Sequence, residues 1–470
     1  MRTPLVGSAY TARSLNLASQ QCINLYPEVV ETKTGKEIAA LYMTPGLTLA
    51  SIQGSGPIRA LINRNGTQYA VSGNQVYAGG SALSGILATT SGPVTIADNG
   101  IQLLIVDGVN AYVVVSGTVS ALTLPFSGPT FCAYQDGFGI IGKANSSEFF
   151  QSDPYDFFSW NSLNFSTAGG QADFLVAGLD TNRELWLLKR DTTEVWYNAG
   201  TPNFAFSRID GVFIEYGCDA PGTVQTVGEG FPMWLGRNKE GARRVVQMQG
   251  YKIARMSTHA IETHFATFPT VADATAYSYQ QEGHTFYVIQ FPTAGETWAL
   301  DLTATAQFGT PMWHQRARFA GGAYYLHPVQ CAVEYQGSVL AGDQTYGNIY
   351  KFDLDNMTDN GAQRQWLRSW RALPKPMEAP TRFSSLRIDM ETGDGVPFGG
   401  NPQVALEWSD DGGHSWTAPI MAAAGQLGQT ALRVMFRRLG ATRRNTGLDR
   451  TFRLYSSDPF KVALIGAELN

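Results

Sequence analysis

The chain has 470 residues, with 16% charged residues, 12% aromatic residues and 50 glycines. So little charge with so many aromatics excludes a disordered chain, and so few charged helix formers exclude a coiled coil. The formal net charge of −5 argues against general wrapping of DNA, which takes many phosphate-neutralising cations, though it leaves room for a local basic strip.

Residues 1–50 contain Pro27 and Pro45 and few periodic runs, and are predicted to form an N-terminal arm or a lone strand packed on the rest. Met1 to Leu17 lacks a leader-length apolar run, and no stretch of 18 apolar residues occurs, so neither export by a signal peptide nor a membrane span is expected. Cys22, Cys132, Cys218 and Cys331 stand far apart in the sequence. That is no zinc or redox spacing, so reduced, partly buried thiols and folding in a reducing cytoplasm are expected.

From residue 51 the pattern is one of short apolar or alternating runs broken by turn residues. Residues 57–78 read as a strand, a turn at Asn65-Gly66, a second strand, a turn at Gly73-Asn74 and a strand ending in Val76-Tyr77. The same plan recurs over 93–115, 129–150 (turn at Asp136-Gly137), 173–197, 223–250, 274–300 (turn at Glu282-Gly283) and 328–352 (turn at Gln336-Gly337). A recurrent unit of three or four strands that cannot bury both faces alone is the signature of propeller blades. Seven units predict seven blades, or six if one of the short early units is partial. Between two of them, Ser257 to Phe265 reads as a helix, with hydroxyl N-caps and with Ile261 and Phe265 four apart.

A boundary is predicted at Ala372-Leu373-Pro374-Lys375-Pro376, after the unusual run Arg364 to Arg371. Beyond it, 384–390, 403–408, 433–437, 452–456 and 462–466 are strand-like with no helix between, which suggests a small sandwich. The expected architecture is all-β: an arm (1–50), a β-propeller (51–371) and a C-terminal β-sandwich-like domain (372–470).

Few motifs carry chemistry. Gly137 to Lys143 fits a phosphate loop, but Ala144 stands where a magnesium-binding hydroxyl belongs and no helix follows, so a hairpin is expected. Ser409-Asp410-Asp411-Gly412-Gly413-His414-Ser415-Trp416 resembles the Asp-box turn of sialidases, here in one clear copy outside the propeller. The six histidines form no metal pattern, and no nucleophile elbow occurs. Catalytic residues, metal and cofactors are therefore expected to be none. The strongest charge signal is Arg433, Arg437, Arg438, Arg443, Arg444, Arg450 and Arg453, accompanied by the single acid Asp449. Arginine forks grip carboxylates or phosphates bidentately, so this strip suits a protein partner, a nucleic acid or internal pairing. Arg437, Arg438, Arg443 and Arg444 are the candidate assembly interface.

Three blocks carry a family likeness: Cys22-Ile23-Asn24-Leu25-Tyr26-Pro27-Glu28 with Leu41 to Leu47; Tyr251 to Glu262; and Phe436-Arg437-Arg438-Leu439-Gly440 with Phe452-Arg453-Leu454 and Ile465 to Glu468. In their order and spacing the chain resembles the packaged-DNA stabilisation, or tail hub (nozzle), proteins of short-tailed bacteriophages. The resemblance implies a non-enzymatic virion protein of the tail, assembled in the host cytoplasm. It implies a homohexameric ring that attaches below the portal-adaptor protein and closes the DNA channel. Such a ring anchors tailspikes or fibres, seats a needle or plug, and lets packaged DNA pass its lumen without sequence specificity. The rival reading is a propeller glycosidase or sialidase, or a carbohydrate-binding protein, suggested by the Asp-box and the aromatic content.

Overall fold

The computed structural model describes residues 1–15, 17–32, 37–372, 381–396, 399–442 and 450–470. Seven antiparallel blades form from the seven repeated units. The first two are Ile58–Arg64, Thr67–Ser72, Gln75–Ala78 and Ser81–Ala82, then Thr95–Asp98, Leu103–Val106, Ala111–Val115 and Thr118–Ala121. Both early units thus have four strands, which removes the six-blade alternative. The first hairpins of blades one, three, six and seven turn through Asn65-Gly66, Asp136-Gly137, Glu282-Gly283 and Gln336-Gly337, with both residues of each pair at positive φ. That is the type I′ turn, whose twist matches paired strands.

A second recurrent device sits at the next turn. In blade two, Asp107 accepts from the Val109 and Asn110 amides at 3.0 and 2.8 Å and from the Tyr112 hydroxyl. In blade seven, Asp343 accepts from the Thr345 and Tyr346 amides at 2.7 and 3.0 Å and from the Tyr350 hydroxyl. Blades three and four replace this with Lys143–Glu148 and the fully buried Lys189–Glu194. The Lys189 ammonium also reaches Asp173 and two carbonyls, so a buried charge is left with no unmet proton.

The innermost strands touch in sequence around an axis, and blade seven, Val329–Tyr335, returns to Ile58–Arg64 of blade one. Closure is completed from the N-terminal side: Gly46–Ile52 is the outer strand of blade seven, paired with Asn348–Asp353. A Cβ at Gly46 would lie 2.0 Å from the Asn356 carbonyl oxygen, so only glycine lets the closing strand approach this closely.

Residues 1–50 do not stand apart as an arm. Arg2–Thr3, Leu25–Val29 and Ala39–Met43 join Arg382–Met390, Val434–Ala441 and Ala463–Leu469 in one sheet of the sandwich. The facing sheet contains Trp366–Arg371, Thr451–Ser456, Gln403–Ser409 and Ile420–Ala423. Leu25, Leu41, Trp366, Trp370, Leu386, Phe436 and Phe452 pack between the two sheets. Cys22–Ile23 then bridges the domains, parallel to Met312–Ala320 of blade six and antiparallel to Trp366–Arg371, so one hydrogen-bonded sheet runs from propeller into sandwich.

The domain boundary falls before residue 366, because Trp366–Arg371 is a buried strand of the sandwich, not a linker. Residues 373–380, which include most of the predicted boundary, lie outside the described residues. The helix expected near 257–265 is His259–Phe265, capped by Thr258 and held by Glu262, which Arg255 grips with two bonds of 2.7 Å. A second helix, Leu302–Phe308, was not anticipated. Its signals are the Asp301 N-cap and the left-handed Gly309 that ends it.

Candidate assembly interface

The seven arginines of the C-terminal strip split into two kinds. Arg450 is buried: its Nε and Nη2 donate to Asp410 at 2.7 and 2.9 Å, and its Nη1 donates to the Leu439 carbonyl at 2.6 Å. Its guanidinium also lies over the rings of Phe383 and Trp408. Arg453 pairs with Glu407 and stacks 4.1 Å from the centroid of Trp416. These two are internal struts.

Arg433, Arg437 and Arg438 are exposed, with no ion-pair partner among the described residues. Arg437 and Arg438 owe their display to a bulge in Val434–Ala441, an edge strand of its sheet. The pairing passes from Ser385↔Arg437 to Phe383↔Gly440, and Arg438 has φ 62. The extra residue keeps Phe436 and Leu439 both inward and turns two consecutive arginines to solvent, where regular alternation would have buried one. Holding a non-glycine residue in that left-handed conformation costs roughly 1–2 kcal/mol. Of the four predicted interface residues, the structure places Arg437 and Arg438 together at this edge. Arg443 and Arg444 lie outside the described residues.

The other motifs resolve into structure. Phe138–Lys143 is a strand of blade three. The Asp-box joins two sandwich strands: Asp411 accepts from the Ser409 hydroxyl at 2.6 Å and the Ser415 amide at 2.9 Å. Those donors hold its carboxyl well below the usual carboxylate range. Beside it, Trp408, Asp410, Trp416 and Arg450 line a cavity of about 280 Å³. Within the propeller, Ile62, Thr95, Gln225, Tyr277 and Gln330 line a second cavity of about 570 Å³ among the inner strands.

Sequence reasoning missed the role of Arg364 and Arg368. Arg364 is buried against Asp359 and donates to the Thr44 carbonyl at 3.0 Å and hydroxyl at 2.7 Å. Arg368 donates to the carbonyls of Leu5, Ser8 and Gln21. Both clamp the N-terminal segment onto the junction of the two domains. Their signal was the arginine-tryptophan run itself, too polar for an ordinary core strand.

Comparison with known proteins then decides the family. The family described as Bacteriophage P22 Gp10, beta-propeller, matches residues 1–357, and Bacteriophage P22 Gp10, beta-sandwich, matches residues 365–470. The chain belongs to the P22 Gp10 family. It is a phage structural protein of the virion tail, built as a β-propeller followed by a β-sandwich, as the resemblance implied. No curated protein matches its sequence. Similar solved structures include the computationally designed Ika8 protein, at 12% identity and TM-score 0.38, over 71% of this chain and 100% of that one. The N-terminal domain of Nup159 is 11% identical with TM-score 0.37, over 74% of this chain and 97% of that one. PorZ of Porphyromonas gingivalis is 10% identical with TM-score 0.35, over 72% and 44%.

Proposed function

We propose that this P22 Gp10 relative is a tail hub: a homohexameric ring that docks below the portal-adaptor, closes the DNA channel to retain the packaged genome, anchors tailspikes or fibres and seats a needle or plug. Assembly takes place in the host cytoplasm. The observation that carries the reading is the pair Arg437 and Arg438, turned outward by a bulge at a sheet edge and without an ion-pair partner among the described residues. Two adjacent outward charges, one of them on a residue held at positive φ, suit a contact outside the chain, and a contact repeated around a ring gains by avidity. DNA passes through the lumen of the ring without sequence specificity.

The test is mass photometry of the purified chain, alone and with DNA-filled, tail-less heads that bear the adaptor. A species near six copies, or binding to the heads, supports the hub. A persistent monomer that ignores the heads refutes it. Arg437→Ala/Arg438→Ala weakens ring formation or head attachment; no change in either removes these residues from the interface.

A further inference from the structure

The displayed arginines raise the question of which surface receives them. Their own propeller is poorly placed. Leu25–Val29 packs beside the outer strand of blade six, while Val434–Ala441 lies at the opposite edge of the same sheet, four strands away. At about 4.8 Å per strand step that is roughly 19 Å, about twice the screening length at physiological ionic strength.

One face of the propeller has the complementary charge. In every blade the turn between the first and second strands points to the same face. Contacts between neighbouring turns show this: Arg64 to Asp98 at 3.1 Å, Asn99 to the carbonyl of Tyr155, whose amide donates to Gly137, Arg183 to Asp136 at 3.4 Å, the Thr181 hydroxyl to the Gly230 carbonyl at 2.7 Å, Glu282 and Gln336 lining one groove, and Asn63 to the Glu334 carbonyl at 3.2 Å. Glu229 and Glu282 lie in these turns in blades five and six, and Asp180 and Glu334 lie at the strand ends that lead into them in blades four and seven. All four are exposed and have no ion-pair partner among the described residues. The two arginines of this rim, Arg64 and Arg183, are already engaged. Although the residue is exposed, partial desolvation of its carboxyl, with the nearby charge of Asp136 added, pushes Asp180 up to about 6.

On the opposite face much of the charge is paired within the chain, and the Asp107 and Asp343 carboxylates are held by amide and hydroxyl donors. There Lys143 pairs with Glu148, Lys189 with Asp173 and Glu194, and Arg237 and Arg243 with Asp219. Excess positive charge at one end of the molecule and excess negative charge at one propeller face describe a head-to-tail contact, the kind that generates rings when its rotation closes.

We infer that Arg437 and Arg438 of one copy dock on the first-hairpin face of the neighbouring copy's propeller, against the carboxylates of Asp180, Glu229, Glu282 and Glu334. This rests on the ring reading above and names the surface that the ring contact uses.

Charge exchange tests it. One variant carries Arg437→Glu and Arg438→Glu; a second carries Glu229→Lys, Glu282→Lys and Glu334→Lys; a third combines all five. Each is compared with the unmodified chain by mass photometry, free and on adaptor-bearing heads, after circular dichroism and thermal unfolding have established folding. Each of the first two, alone, requires at least tenfold more protein to form rings. Their equimolar mixture and the five-fold variant both recover ring formation, since every contact in them again joins opposite charges. Unimpaired rings from the first variant, or no recovery in either the mixture or the five-fold variant, overturn the inference while leaving the hub reading intact. An unmodified chain that forms no ring, free or on heads, refutes the hub reading and this inference with it.

Discussion

Replacing the arginines of the C-terminal strip one at a time separates struts from displayed charges. Arg450 is almost fully buried, holds Asp410 through two bonds of 2.7 and 2.9 Å, and satisfies the carbonyls of Leu439 and Ala441 at 2.6 and 3.1 Å. Arg450→Met leaves the largely buried Asp410 carboxylate and those carbonyls without these donors, so the cost is about 3–5 kcal/mol, the range for breaking one side of a buried pair. Adding Asp410→Asn removes the orphaned charge, so the double variant costs less than the two single changes summed, with a coupling of about 1–3 kcal/mol. Arg437→Ala is exposed and changes stability by less than about 0.5 kcal/mol. Arg438→Gly relieves the left-handed φ of 62; after the entropic penalty of glycine it is neutral or stabilising by up to about 1 kcal/mol. Urea unfolding followed by tryptophan fluorescence measures all five, Asp410→Asn alone included, because Trp408 and Trp416 lie beside the Asp410–Arg450 pair. An Arg450→Met variant within 1 kcal/mol of the unmodified chain, or an Arg438→Gly variant that loses 2 kcal/mol, would refute this division.

Three other outcomes are expected. Burial pulls the His284 imidazole down, but its 2.7 Å bond to Asp301 and that carboxylate's charge prevail and raise it. A raised cationic group stabilises fully below its unfolded value of about 6.5 and loses that contribution as pH climbs through the folded value; Asp301→Asn, which retains the helix cap, flattens this decline in thermal melts from pH 5.5 to 9. Gly46→Ala drives a methyl into the Asn356 carbonyl and destabilises the propeller by about 1–3 kcal/mol, read as a lower urea midpoint and earlier proteolysis near the closing strand. Burial pushes the thiols of Cys132, Cys218 and Cys331 up to about 12 and raises that of Cys22. An aromatic disulfide reagent at pH 8 therefore titrates them slowly in the native chain and all four at once in urea.

The blades were legible because their punctuation is local. Asn65-Gly66 and Gln336-Gly337 take positive φ in the turn whatever lies around them, so each announces a hairpin from two residues. The outer strands were harder to see. Ser81–Ala82 is short and exposed, and Asp156–Thr167 breaks its pairing twice, so neither shows a clean alternation. The candidate interface was half legible: the sequence pointed to an arginine strip, but spacing alone does not show which guanidinium meets a carboxylate.

The sequence by itself determined the all-β class, the sevenfold repeat, the C-terminal sandwich strands and the helix at His259–Phe265, since each depends on residues within a turn or two of one another. Only the tertiary structure decided that Arg2–Thr3 and Ala39–Met43 join the sandwich while Gly46–Ile52 closes the propeller. Those strands pair with partners some 300 to 460 residues away, and such pairings follow from which hydrophobic faces remain uncovered once the domains meet. It likewise decided that Arg450 is spent on Asp410, 40 residues away, whereas Arg437 and Arg438 are held out to solvent by a bulge. The backbone geometry that turns a charge inward or outward belongs to the sheet and not to the residue.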